Sequence, residues 1–190
     1  MAQGVVTLSG QGTRFVLRDA THAVHERLHG VMPFARIAGG RLSRGEYADL
    51  LERIWRFHAA LEQGAGVKQP ERMARLESDL AYMGRRVPAF TGLWRLPERE
   101  GAALGAHYVA QGSNLGGRVI WRQLDYLFGD GADGRRYFGG AAGDGARWRS
   151  LCARIDLEGK SAVAVEGMIA GAEAAFALFE RCLETESVDG

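Results

Sequence analysis

The chain has 190 residues, 46% of them hydrophobic and 25% charged, the values of an ordinary globular protein long enough to bury one core. Its 24 lysines and arginines nearly cancel its 23 aspartates and glutamates, so the charge points neither to nucleic acid nor to a membrane surface. Cys152 and Cys182 are too few for a disulfide scaffold or a thiolate zinc site. The start carries no signal-peptide pattern, and no segment approaches the roughly 18 apolar residues of a membrane span, so a cytoplasmic protein is expected.

In chain order, residues 14–28 place Leu17, Val24 and Leu28 at helical spacing, with Gly30 as a stop. Ser43 with Glu46 three residues on forms a capping box, opening a helix through Tyr47, Leu50, Leu51, Ile54, Trp55 and His58 to about Gln63. Pro70 opens a third helix, through Met73, Leu76, Leu80 and Met83, which Gly84 ends. After a connection bracketed by Pro88 and Pro97, the proline-free stretch 98–128 reads as helical throughout. Residues 129–145 hold seven glycines and read as a loop with at most one helical turn around Tyr137. Helices over 146–155 and 160–183 complete the chain. No window alternates with period two, so the expectation is an all-α single domain over 13–184, between a flexible start (1–12) and a tail (185–190).

The first helix carries His22, His25 and His29, three of the five histidines. His25 falls beside Val24 and Leu28 on the expected buried stripe, where a neutral imidazole can ligate a metal if something fills the space opposite. The plain alternative is a boundary histidine bonded to a neighbouring carbonyl. His25-Glu26-Arg27-Leu28-His29 also matches H-E-x-x-H, which on a helix can hold zinc beside a glutamate base. Its place near the start of a helical chain, with no third ligand announced downstream, argues against a zinc hydrolase.

A second peculiarity lies within the long central stretch. Gly112, Gly116 and Gly117 sit in mid-helix, where each glycine costs about 1 kcal/mol relative to alanine. Gly112 and Gly116 share a face and Gly117 widens it, with Ser113 and Asn114 alongside. The bare patch serves either close helix packing or the approach of a flat object to the backbone, and it permits a kink. A histidine on one helix facing a glycine floor on another would make a slot for a planar metal macrocycle.

Two runs give this reading a specific resemblance. Leu17-Arg18-Asp19-Ala20-Thr21-His22-Ala23-Val24-His25 resembles the proximal-helix signature of the heme oxygenase family. Tyr108 to Gly117 is similar to its distal helix in the bacterial form, Tyr-Val-x-Glu-Gly-Ser-x-Leu-Gly-Gly. The likeness continues through Leu76-x-x-Asp79-Leu80-x-x-x-Gly84, Trp148 and the 172–178 region, and is nearest to the bacterial branch found beside bacteriophytochromes.

The resemblance implies an all-α fold with heme sandwiched between a proximal helix and a kinked distal one. It implies heme b as substrate and cofactor, and O2-dependent opening of the ring at a meso carbon to biliverdin, CO and ferrous iron. His25 would be the iron ligand, and Gly112, Ser113 and Gly116 the catalytic wall. Arg18, Tyr108 and Gly117 would join His25, Gly112 and Gly116 in binding the heme. Ser113 stands where animal members carry an aspartate, and Gln111 where bacterial members carry glutamate. A histidine ligand suits ring opening better than a thiolate, which promotes O–O cleavage. Electrons would come from a ferredoxin or flavoprotein reductase, since the chain has no nucleotide or flavin motif, and a bacteriophytochrome would accept the biliverdin. The rival of another class is a non-catalytic heme carrier or sensor of the same fold.

Overall fold

The computed structural model describes residues 12–90 and 92–184, without the side chains of His29, Met32, Asn114 and Leu115. The expected flexible start, Gly12 aside, and the expected tail lie outside these residues. The described residues form helices and connections with no strand: α1 (Thr13–His29), α2 (Met32–Ala38), α3 (Arg44–Ala65), α4 (Pro70–Tyr82), α5 (Ala102–Gln123), α6 (Asp125–Phe128), α7 (Arg136–Gly139), α8 (Asp144–Glu158) and α9 (Ala162–Glu184).

The start and stop signals act as the sequence implies. Ser43 accepts from the Glu46 amide while Glu46 Oε2 accepts from the Ser43 amide at 2.8 Å, closing the capping box of α3. The helix ends at Gly66 in the left-handed conformation (φ 65°). Its buried face runs through Tyr47, Leu50, Leu51, Ile54, Phe57, His58 and Leu61.

Three features depart from the sequence reading. The seven-residue α2, opened by Pro33 in its first turn, is absent from that reading because so short a helix shows barely two periods. The stretch 98–128 is not one helix: α5 begins at Ala102, stays helical through all three central glycines, and gives way to α6 at Leu124. Third, α9 is by length and composition apolar enough to cross a membrane, with mean hydropathy 1.6 over its best window. Glu166 and Glu173 interrupt its apolar run, which hides that property from a search for uninterrupted segments. Half of that window is buried within the protein, against α1, α3 and α5.

The seam between α5 and α9 organises the rest. Small residues let the backbones touch: a Cβ on Gly105 would lie 1.8 Å from the Met168 carbonyl oxygen. On the other side, a Cβ on Gly167 would lie 1.8 Å from the Glu100 carbonyl, and one on Gly171 1.9 Å from that of Ala102. Residues 101 and 105 meet residues 164–172 in ascending order, so the two helices run parallel. Helix α1 runs parallel to α9 as well. The Thr13 hydroxyl donates to the Gly159 carbonyl (2.9 Å) ahead of α9, and Arg27 pairs with Glu180 (2.7 Å) near its end. Thus α1 and α5 lie along one common helix in the same direction.

Candidate functional site

Continuing the register of the α5–α9 seam brings the end of α9, where Arg27 is tied, level with Gly112 to Gly116. His25, half a turn before Arg27, therefore lies at the height of the central glycines. Nearer the start of both helices, Arg18 and Asp19 of α1 come close enough to Tyr108 of α5 to act electrostatically on its hydroxyl. The geometry corrects one expectation: His25 is not on the buried stripe, which runs through Thr13, Leu17, Thr21 and Leu28. It stands on the adjoining flank with its side chain 57% exposed and Nδ1 a long 3.4 Å from Glu26. Arg18 is also exposed and pairs with Asp19 at 2.8 Å.

Along the long helices α5 and α9, three glycine pairs have the same i,i+4 spacing, and they separate cleanly. Gly101 and Gly105 at the start of α5, and Gly167 and Gly171 on α9, are pressed against neighbouring backbone. A Cβ on Gly116 would meet nothing within 4 Å, and one on Gly112 would meet only the edge of the Trp148 ring at 3.4 Å. Among the described residues no packing contact accounts for Gly116. Gly117, in contrast, is buried with its Cβ direction 2.8 Å from the Phe138 carbonyl, so it serves the contact with α7 and not the slot. One residue along a helix is a rotation of about 100°, which carries it off the shared face. Trp148 of α8 lies against both Gly112 and Tyr108, its ring centroid 5.3 Å from that of the tyrosine.

Beside Ser113 the interior is polar. Arg72 of α4, 5% exposed, donates through Nη1 to the Ala110 carbonyl (2.6 Å) and to the Ser113 hydroxyl (2.9 Å), and through Nη2 to the Tyr137 hydroxyl (2.5 Å). Tyr137 in turn lies 2.8 Å from His58 Nε2, and both are buried. Burial, aided by the Arg72 charge, lowers the His58 pKa well below its ordinary value, so its imidazole is neutral. Burial likewise raises the Tyr137 pKa, an effect Arg72 opposes. The one-turn helix α7 that carries Tyr137 is held by Asp79, whose two oxygens accept from the Tyr137 amide (2.7 Å) and the Arg136 amide (2.9 Å).

The heme oxygenase family profile matches residues 14–185 of this chain. A heme oxygenase of Xanthomonas campestris pv. campestris (strain 8004) is 35% identical over 158 residues, covering 78% of this chain and 94% of the relative. The chain belongs to the heme oxygenase family. Solved heme oxygenases share the fold. That of Neisseria meningitidis, in its NO- and CO-bound crystal structures, superposes with a TM-score of 0.73 at 25% identity, over 92% of this chain and 91% of that one. Heme oxygenase-1 from Synechocystis sp. PCC6803, in complex with heme, gives 0.71 at 16% identity, over 91% of each chain.

Within this heme oxygenase fold, the residues picked from sequence fall into two groups. Tyr108 and Gly112 are brought together by Trp148, with Gly116 on the same open face one turn on. On α1, Arg18 comes near Tyr108 and His25 lies two turns further along the same helix, while Ser113 links the glycine face to the buried network. Gly117 belongs to the packing of α7. Gln111 is buried and faces Gln69, whose amide donates to it at 3.4 Å. The zinc alternative falls on His29, whose side chain lies outside the described residues; among the described residues no cluster of three His, Cys, Asp or Glu could hold a metal.

Four residues of this heme oxygenase site escape the sequence reading as functional groups: His58, Arg72, Asp79 and Tyr137. A signal exists for three of them. His58 lies four residues after buried Ile54 on the α3 core face, one residue after buried Phe57 and three before buried Leu61. On α4, Arg72 and Asp79 sit at spacings of four and three from Leu76, in the middle of its apolar stripe. A charged group there is either paired or working. Tyr137 gives no sign beyond its place in a glycine-rich loop.

Proposed function

We propose that this heme oxygenase holds heme between α1 and α5, with His25 as the iron ligand, and opens the ring at a meso carbon to biliverdin, CO and ferrous iron. The observation that carries this reading is the bare Gly112–Gly116 face at the height of His25, where the two other glycine pairs of the same spacing on α5 and α9 are filled by backbone. A cradle without Cβ atoms fits a flat ring lying against a helix, and an exposed imidazole on the opposing helix fits an iron ligand. Bound there, heme would supply both the iron that activates O2 and the carbon that is oxidised.

The chain's own residues divide the remaining work. Arg18 and Tyr108, near each other at one end of the gap, are placed to hold the propionate carboxylates, which would draw Arg18 away from its exposed partner Asp19. Gly112 and Gly116 keep the wall opposite His25 free of side chains. Ser113 is the exposed end of the buried network: its hydroxyl donates to the Ala110 carbonyl at 2.9 Å while accepting from Arg72. The network contains one cation, two hydroxyls and a neutral imidazole, and no carboxylate. Proton supply at Ser113 is thus set by the Arg72 field and by water entering beside it, where animal family members would use an aspartate. Electrons come from a ferredoxin or flavoprotein reductase, in a cytoplasmic setting, with a bacteriophytochrome as acceptor of the biliverdin.

Anaerobic titration with hemin, followed by reductant in air, tests this for wild type and His25→Ala. The expected result is a 1:1 Soret complex that bleaches into a bilin band, with the variant impaired in both. A stable Soret band that never bleaches would leave a heme carrier and refute turnover. A Soret complex and bleaching unchanged in His25→Ala would refute the ligand.

A further inference from the structure

The adjoining face of α5, bearing His107 and Gln111, borders a cleft of about 570 Å³ between the first turns of α4 and the length of α8, and the reading above gives it no task. That volume falls in the range of small-ligand pockets, roughly 300–1,000 Å³. Its lining is strongly cationic. Lys68, Arg72, Arg75, Arg147 and Arg154 line it, against the two carboxylates Glu71 and Asp144.

Both carboxylates are already engaged by one arginine, since Arg147 pairs with Asp144 at 2.7 Å and with Glu71 at 3.3 Å. Arg154 turns to Glu158 at 2.6 Å. Among the described residues this leaves Lys68, Arg72 and Arg75 without a carboxylate partner at ion-pair distance. Arg72 is 5% exposed, and the Nε atoms of Arg72 and Arg75 are both buried with no acceptor. Asp144 acts on both guanidinium groups only from beyond ion-pair distance; a buried guanidinium so incompletely satisfied is costly, and a nearby anion relieves it. The N-termini of α4 and α8, helices of 13 and 15 residues, open on the same cleft and add their partial positive charge.

We infer that the α4–α5–α8 cleft is a binding site for a small dianion of the phosphate or dicarboxylate class, taken up beside Arg72 and Arg75. Arg72 faces both ways: its Nη atoms hold Ser113 and Tyr137, so a dianion in the cleft tempers the positive field at the Ser113 end of the network. That coupling rests on the heme reading; the binding does not.

The test uses heme-free protein, so its failure is separate from failure of the heme site. Inorganic phosphate is titrated at constant ionic strength with chloride as the balancing anion, followed by calorimetry and by the imidazole resonances of His107. Burial and Arg154 lower the His107 pKa, and a bound dianion should shift its titration upward. The expected result is saturable 1:1 binding, a rise in Tm beyond that in chloride, and movement of the His107 signals along the same isotherm. Arg75→Gln and Lys68→Gln should each weaken binding at least tenfold with unchanged circular dichroism, while Arg149→Gln, outside the cleft, should not. Succinate competing with phosphate would assign dicarboxylates to the site, and failure to compete would confine it to phosphate-type anions. Effects that follow ionic strength alone, or binding equal to wild type in both cleft variants, would overturn the proposal.

Discussion

The same substitution, glycine to alanine, should have opposite consequences at Gly105 and Gly116, although both lie on α5. At Gly105 the new methyl would sit 1.8 Å from the Met168 carbonyl oxygen and 2.9 Å from the Ala172 nitrogen, both of them backbone that cannot swing aside. Separating α5 from α9 enough to admit it is overpacking, which costs about 1–3 kcal/mol or more and can block folding. At Gly116 the methyl meets nothing within 4 Å. Only the helix-propensity gain remains, about 1 kcal/mol, which for a chain of this size raises Tm by roughly 2–4 °C. Thermal and urea unfolding of the heme-free variants would read both effects. Hemin titration of the stabilised Gly116→Ala protein then reads function. A methyl intruding on a flat ligand should weaken binding by roughly tenfold, equivalent to about 1.4 kcal/mol. A Gly116→Ala protein that loses stability would refute the account of the open face. One that gains stability and binds hemin like wild type would refute the slot.

Gly117→Ala should behave like Gly105→Ala in milder form, because its methyl would approach the Phe138 carbonyl at 2.8 Å; a lowered Tm, against the rise at Gly116, is the check. Tyr137→Phe removes the hydroxyl shared by Arg72 and His58 and leaves buried polar groups unmatched. A loss of about 1–3 kcal/mol in denaturant unfolding is expected. Burial pushes the Asp79 carboxyl up to about 6, from 3.8, despite the two amides that bond it. A raised acid favours the protonated fold, so its contribution is fully present below pH 3.8 and is lost as pH rises through 6. The loss is about 3 kcal/mol at most. Asp79→Asn should therefore flatten the fall in stability between about pH 4 and pH 7 relative to wild type, and an unchanged pH profile would contradict the assignment.

How much of this is legible in the sequence depends on the range of the interaction that fixes each feature. Caps and helical runs are local, and Ser43 with Glu46, Pro70 and Gly84 mark their helices accordingly. The one-turn helix around Tyr137 is also readable, as an island in a glycine-rich loop. Two assignments mislead because they require knowing a neighbour. Gly116 and Gly117 are adjacent and chemically identical, and only the position of Phe138 tells that one packs and the other faces outward. The spacing of His25 to Leu28 suggests the buried stripe, yet a residue beside a stripe can be turned to the open flank, as this one is. The buried network is the least legible part. His58 and Arg72 each stand out on an apolar stripe, but the two and Tyr137 come from three helices, and separations of 65 and 79 residues leave their pairing beyond a local reading.

The unequal anchoring of the two slot walls has a mechanical consequence. Helix α5 meets α9 backbone to backbone through Gly105, Gly167 and Gly171, and such a seam has almost no compliance. Among its described side chains α1 buries only Thr13, Leu17, Thr21 and Leu28, and its outer end is secured to α9 by the solvent-exposed Arg27. The proposed slot thus has one fixed jaw and one compliant jaw, and His25, the proposed iron ligand, is mounted on the compliant one. Widening the gap to admit a ring or discharge an opened one then leaves the α5–α9 seam intact, and the work of each cycle falls on a helix that gives the core only Leu17 and Leu28 among its fully buried apolar side chains.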